Sequence, residues 1–333
     1  MDRAFSAMHS ALCILAAMLL TVSVPAAAQQ PVKVYRIGVL SEGTVGLGPF
    51  ADIHLFRQGL RGLGYIEGKN VAIEYRTAEG NRRRLPNLVA ELIHRKVDVI
   101  VATSGVPARV ASQATRMIPI VVTVSGDPIA DGLTASLAHP DRNVTGLTIQ
   151  AKDLSGKRLE LLKETIPGIS RVAIFSRPLS TGQPAARREM EMVAHTLGLE
   201  IKLLSVEATG ELDSAFDAVM AWGAHALVPL SHRSIAIQRS RIVELAAKRR
   251  LPAIYANRGF VEAGGLMSYG PNHSDLQRRA AFFVDKILRG VKPSELPIER
   301  PTKFELVINL KAAKPIGFAF PPQVLMWADE VIK

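Results

Sequence analysis

Cysteine is nearly absent: the 333 residues hold one, Cys13. It lies in the apolar stretch 11–24, A-L-C-I-L-A-A-M-L-L-T-V-S-V. Beyond that stretch the chain has no thiol. Disulfides, thiol catalysis and thiolate metal sites are therefore excluded together. Cys13 also lacks small residues just before it, which argues against lipid attachment. The eight histidines form no H-E-x-x-H and no close pair, so no metal is expected. Aromatics are 5% of residues and do not interleave with the basic ones. There is no G-x-S-x-G, because Ser104 in Ala102-Thr-Ser-Gly-Val-Pro107 lacks the first glycine of a nucleophile elbow. A hydrolase has no motif to stand on, and no cofactor is expected.

Long hydrophobic runs are also missing. The stretch 11–24 is shorter than the roughly 20 residues of a membrane span. Arg3 precedes it and Pro25-Ala-Ala-Ala28 follows, with Ala26 and Ala28 at an A-x-A spacing. Residues 1–28 read as a signal peptide cleaved before Gln29. This predicts a periplasmic protein. About 300 residues would remain, enough to bury a core without cross-links and to form two domains of about 150 each.

The formal net charge is +11. The basic residues are scattered over predicted helix faces, with short clusters at Arg82-Arg-Arg84 and Lys248-Arg-Arg250. There is no basic tail. This pattern fits solvated helices attracted to anionic lipid or an acidic partner, and not a nucleic-acid binder.

What is present is an alternation. Short apolar runs at 36–41, 71–75, 97–102 and 118–123 read as strands. Between them, 83–96 places Leu85, Leu88, Val89, Leu92 and Ile93 on one helix face. The pattern then restarts. A helix at 155–166 precedes strands at 171–175, 200–204, 224–228 and 252–255, with a helix at 237–248. Gly264–Gly270 reads as a further strand, Ser274-Asp-Leu-Gln277 as a capping box, and 304–309 as extended. Short apolar strands alternating with helices imply parallel sheets covered on both faces. No linker separates the two α/β units, so short crossing strands and a hinge are expected.

Gly46-Leu-Gly-Pro-Phe-Ala51 matches G-x-G-x-x-A on paper. Residues 41–45 separate it from the strand, and Pro49 removes an amide donor, so nucleotide binding is disfavoured. The remaining candidates are positional. Ligands of open α/β sheets bind beyond the carboxyl ends of the strands. The polar residues there are Ser41, Thr44, Thr103, Ser104, Ser125 and Asp127 in the first unit, and Ser176, Ser231, Tyr255, Asn257 and Tyr269 in the second. Asp127 would answer a ligand ammonium. Helix N-termini after these loops would offer amides to a carboxylate. Asp131 reads as turn and N-cap chemistry around Pro128.

Several longer stretches carry a family resemblance. They are 56–70 (F-R-Q-G-L-R-G-L-G-Y-I-E-G-K-N), 126–133 (G-D-P-I-A-D-G-L), 143–147 (N-V-T-G-L), 155–162 (S-G-K-R-L-E-L-L), 241–248, 260–270 (F-V-E-A-G-G-L-M-S-Y-G) and 301–310. On these the chain resembles the ABC-transporter substrate-binding family of the tryptophan/tyrosine-binding type, with the type I periplasmic-binding-protein fold. The resemblance implies an α/β fold of two doubly wound parallel-sheet lobes joined by crossover hinge strands. It implies lobe 1 from 33–148 plus 272–303, and lobe 2 from 149–271 plus 304–333. It further implies closure on a small ligand, delivery to an inner-membrane ABC permease, and no chemistry. A monomer is expected, and an amino acid is one candidate ligand. Ser176-Arg-Pro178 and Pro229-Leu-Ser231 depart from the family's usual turns, which bears on the ligand and not on the fold. Two other classes are rivals: the sensor lobe of sugar-type transcription regulators, which shares this architecture, and an exported α/β enzyme.

Overall fold

Apolar alternation becomes two sheets in the computed structural model, which describes residues 33–43, 53–149, 154–176, 183–206, 209–231 and 233–333. The first half runs β1 (Tyr35–Ser41), α1 (His54–Gly62), β2 (Val71–Thr77), α2 (Leu85–His94), β3 (Val99–Ala102), α3 (Gly105–Ala114), β4 (Ile120–Ser125) and β5 (Val144–Thr148). These strands form one parallel sheet in the order β2-β1-β3-β4-β5. Successive side chains point to opposite faces. Ile37, Val39, Val99 and Val101 therefore bury against one helix layer, while Leu40, Ile100 and Ala102 bury against the other. Leu85, Leu88, Val89 and Leu92 of α2 are the buried stripe that the spacing predicted. A Leu→Ala change there would cost about 2–5 kcal/mol.

The second half continues with α4 (Leu154–Thr165), β6 (Arg171–Ser176), α5 (Gln183–Leu197), β7 (Glu200–Ser205), α6 (Leu212–Ala221), β8 (Ala226–Pro229), α7 (Arg233–Ile237), α8 (Arg239–Lys248), β9 (Ile254–Tyr255), α9 (Arg258–Glu262) and β10 (Met267–Pro271). The chain then forms α10 (His273–Leu288), β11 (Phe304–Asn309), α11 (Leu310–Ile316), α12 (Pro322–Trp327) and β12 (Glu330–Ile332). The order β7-β6-β8 is joined through a Leu227–Ala253 bridge to β9-β10-β11-β12. β10 and β11 pair antiparallel, and the other pairs are parallel.

α10 does not cover the sheet it leaves. Its Leu276, Ala280, Phe283, Val284 and Ile287 join Ile37, Val39 and Phe56 in a first-half cluster. β10 therefore leads from one sheet to the helix layer of the other, and β11 leads back. The expected capping box at Ser274 and Gln277 is corrected. The helix opens two residues earlier, where Asn272 Oδ1 accepts the Asp275 amide at 2.9 Å. An Asn in extended backbone is as good a cap as Ser, and it sits directly at the end of β10. β5 and β12 are further strands that the apolar runs did not single out. Val144-Thr-Gly-Leu-Thr148 mixes polar with apolar residues, yet all five are buried.

Candidate functional site

In an open sheet the crevice opens where the winding direction reverses. In the first half that point lies between β1 and β3. Glu42 follows β1 and Ser104 follows β3, and they bridge this point. Ser104 Oγ donates to Glu42 Oε1 at 2.9 Å, and Arg82 Nε donates to Glu42 Oε2 at 2.8 Å. Glu42 is only 5% exposed. A buried carboxylate persists because it is paired and hydrogen-bonded. Ser41 Oγ is turned back to its own loop, accepting the Gly43 amide at 3.2 Å. Thr103 is buried beside Ser104. Ser104 stands at the N-cap of α3 in extended backbone, but its hydroxyl goes to Glu42 and no side chain caps the helix.

One strand over, the two aspartates spend their carboxylates differently. Asp127 Oδ1 accepts the amides of Ile129 and Ala130 at 3.1 and 3.0 Å, so Asp127 ties its own turn. The turn reading of Asp131 holds for its backbone, whose amide donates to the Asp127 carbonyl at 2.8 Å, but not for its carboxylate. Asp131 Oδ2 instead accepts from Ser125 Oγ at 3.1 Å, and it overhangs the start of α3. A Cβ added to Gly105 would meet that oxygen at 2.5 Å. Glycine at 105 is what lets the carboxylate approach. Negative charge is favoured at a helix N-terminus. Burial pushes the Asp131 carboxyl above its ordinary range. The Ser125 bond and Arg109 pull it down, and Asp127 pushes it further up. The helix N-terminus expected to offer amides to a ligand carboxylate is therefore already faced by an acid of the chain itself.

The second half is built differently. Ser176 is half-buried at the end of β6 and Ser231 is exposed past β8. Asn257 caps α9, accepting the Gly259 amide at 3.1 Å. Tyr255 is corrected from mouth to core. It is 1% exposed, and its ring stacks on Phe260 at 4.7 Å and 8°. It lies against Gly265, where any Cβ would meet the ring at 2.6 Å. Burial raises its phenol above the ordinary range. The cause is strand parity: Tyr255 falls on the face packed by Phe216, Ile242 and Phe260. Tyr269 is half-buried at the other face, its ring stacked with Phe304 at 6.3 Å and 29°. Thr44 and the Gly46–Ala51 loop lie outside the described residues.

Two functional candidates escaped the sequence reading. Glu42 stood within the strand-end segment but was not singled out. Arg158 was counted among solvated helix charges, yet it is 4% exposed. Its spacing four before Leu162 and three after Ser155, both buried, was the available signal. Among the described residues no group of three or more His, Cys, Asp or Glu side chains could hold a metal. Among them, too, no helix is long and apolar enough to cross a membrane.

Two doubly wound sheets, with the helix α10 returned from the second half to the first and polar residues at the strand ends, are the architecture of the type I periplasmic-binding-protein fold. Residues 51–332 match the family described as ABC transporter substrate binding protein, and the chain belongs to that family. It is thus the solute-binding component of an ABC import system, whose partner is a membrane permease. A tyrosine-binding protein of Clostridioides difficile is 23% identical over 254 residues, 76% of this chain and 73% of its own. A conserved domain protein of Vibrio cholerae has a TM-score of 0.78 at 26% identity, over 90% of this chain and 100% of its own. An ABC domain in complex with L-Trp from Streptococcus pneumoniae also reaches 0.78, at 24% identity and the same coverage.

Proposed function

We propose that the chain is a periplasmic receptor that closes two lobes on an α-amino acid and hands it to its permease without chemical change. The observation that carries this is the acidic first-half mouth. Asp131 overhangs the start of α3, and Glu42, paired with Arg82, braces Ser104 beside it, an arrangement that offers the Asp131 carboxylate to an ammonium group. The names of two relatives, one tyrosine-binding and one holding L-Trp, put aromatic amino acids first among the candidates. The lobes are taken as 33–148 plus 272–303, and 149–271 plus 304–333. The burial of α10 in the first-half core supports this division. Ligand contacts are assigned to Ser104, Ser125 and Asp131 on one lobe and Tyr269 on the other. Residues 1–28 serve as a cleaved signal peptide, and the mature chain acts as a monomer that does not bind nucleic acid.

The test is thermal unfolding of residues 29–333, refolded from denaturant to strip carried-over ligand. The panel holds L-tryptophan, L-tyrosine, branched amino acids, simple carboxylates, purines and sugars. A ligand at 100 times its Kd stabilises the folded state by about 2.7 kcal/mol. A shift with an amino acid supports the reading. A shift only with a sugar or a purine overturns it.

A further inference from the structure

Arg158 is a buried charge that the described residues leave largely unsatisfied. A guanidinium carries five N–H donors. The described residues give this one a single hydrogen bond, Nε donating to the Tyr269 carbonyl at 2.8 Å. No carboxylate among them lies at ion-pair distance. Glu189 acts on Arg158 from farther off, and its own Oε1 accepts the Gly156 amide at 2.6 Å. Burial lowers the Arg158 guanidinium to about 10, so it stays charged at neutral pH. A desolvated cation with no carboxylate at ion-pair distance among the described residues is costly unless something completes it.

Its place in the fold says what completes it. Ser268 is the last β10 residue paired to β9, so the Tyr269 carbonyl lies at the carboxyl edge of the parallel strands. That edge is where open sheets take ligands. α4 is the first helix after β5. Pro271 ends β10, and Phe304 pairs with it at the start of β11. Arg158 therefore stands beside the segments that pass between the two sheets, next to the half-buried Tyr269 ring and its Phe304 neighbour. The opposite mouth is acidic, with Asp131 already over the start of α3.

We propose that Arg158 is the second lobe's anchor for the carboxylate of the captured amino acid, with the first lobe's Asp131 holding its ammonium group. This rests on the amino-acid reading above and adds the residue that fixes the ligand's orientation. Two N–H groups of one guanidinium face match a carboxylate in bidentate geometry. The zwitterion is then read end to end, cationic end on one lobe and anionic end on the other, so closure is needed to satisfy both.

The test compares L-tyrosine and L-tryptophan with tyramine and tryptamine, their decarboxylated analogues, on the wild type, Arg158→Gln and Arg158→Lys. Calorimetry gives each Kd, and thermal unfolding gives the stability of each unliganded protein. The wild type should prefer the amino acid over its amine by at least about 30-fold, as expected when a buried charge pair is lost. Arg158→Gln should bring that ratio close to one, with the amine affinity little changed. Arg158→Lys, which keeps the charge but not the fork, should restore part of the preference. The unliganded Arg158→Gln protein should melt no lower than the wild type, because a costly charge has been removed. A preference that survives in Arg158→Gln overturns the anchor and leaves the amino-acid reading standing. So does a large drop in unliganded melting temperature with unchanged discrimination, which marks a structural arginine. If the wild type binds neither of these, the same comparison is made with whichever amino acid shifts the unfolding panel and its decarboxylated amine; if no amino acid binds, the reading itself fails and the anchor with it.

Discussion

The two strand-end mouths answer the same topological opportunity with opposite chemistry. The first is acidic and wired internally: Glu42 is held by Ser104 and Arg82, and Asp131 by Ser125. The second, on the proposal above, is cationic and aromatic, with the buried Arg158 held by one carbonyl beside Tyr269 and Phe304. The difference teaches that position at a carboxyl edge does not by itself leave a side chain turned toward the mouth. Ser41 and Asp127 stand at that edge and spend hydrogen-bonding capacity on their own turns. Asp131 and Arg158 come from outside the strand ends and reach in. One approaches through the gap that Gly105 leaves, the other from the second turn of a helix.

The sharpest break of this comparison is Asp131→Ala. Removing the acid from the first mouth should weaken an amino-acid ligand by about 2–5 kcal/mol if the contact is desolvated. Calorimetry reads it, and an unchanged Kd would take Asp131 out of the site. Next comes Gly105→Ala, whose methyl would collide with the Asp131 carboxylate. Overpacking of this kind costs about 1–3 kcal/mol. It should lower both ligand affinity and the unfolding midpoint in urea, whereas displacement without loss of affinity would mean the carboxylate's placement is immaterial.

Asp127→Ala should be milder and of a different kind. It removes a turn cap, for about 1 kcal/mol of stability, and leaves ligand affinity close to wild type. Equal losses of affinity in Asp127→Ala and Asp131→Ala would erase the distinction drawn between them. The smallest effect concerns pH. Burial holds the folded-state carboxyl of Asp131 above its unfolded value, so the folded state retains this proton more tightly than the unfolded state. Its contribution is therefore present below the unfolded value and lost as pH rises through the folded one. Between those two values the stability of Asp131→Asn should fall less with rising pH than that of wild type. Parallel profiles would show that Asp131 carries no such shift.

Much of the fold was legible because burial writes a period into the chain. The α2 stripe of Leu85, Leu88, Val89 and Leu92, and the alternating faces of β1 and β3, follow from spacing alone. The long matching stretches carried the family and, with it, the two-lobed class. Less of the candidate site was legible. The segments around Ser104, Ser125 and Tyr269 were placed correctly at the strand ends, since they follow directly from where the apolar runs stop. Which side chains face the mouth was not. Tyr255 and Tyr269 read alike in sequence, and strand parity sends one into the core and the other to the opposite face.

The sequence by itself determined the alternation of strands and helices, the thiol-free chain beyond residue 13, and the family, because these depend on local spacing and on long stretches of residue identity. Only the tertiary structure decided that Asp131 lies over Gly105, that Glu42 joins β1 to β3, and that Arg158 is buried at the Tyr269 carbonyl. Each brings together residues 26 to 111 positions apart. The energy of a buried charge depends on its neighbours in space, which no local pattern encodes.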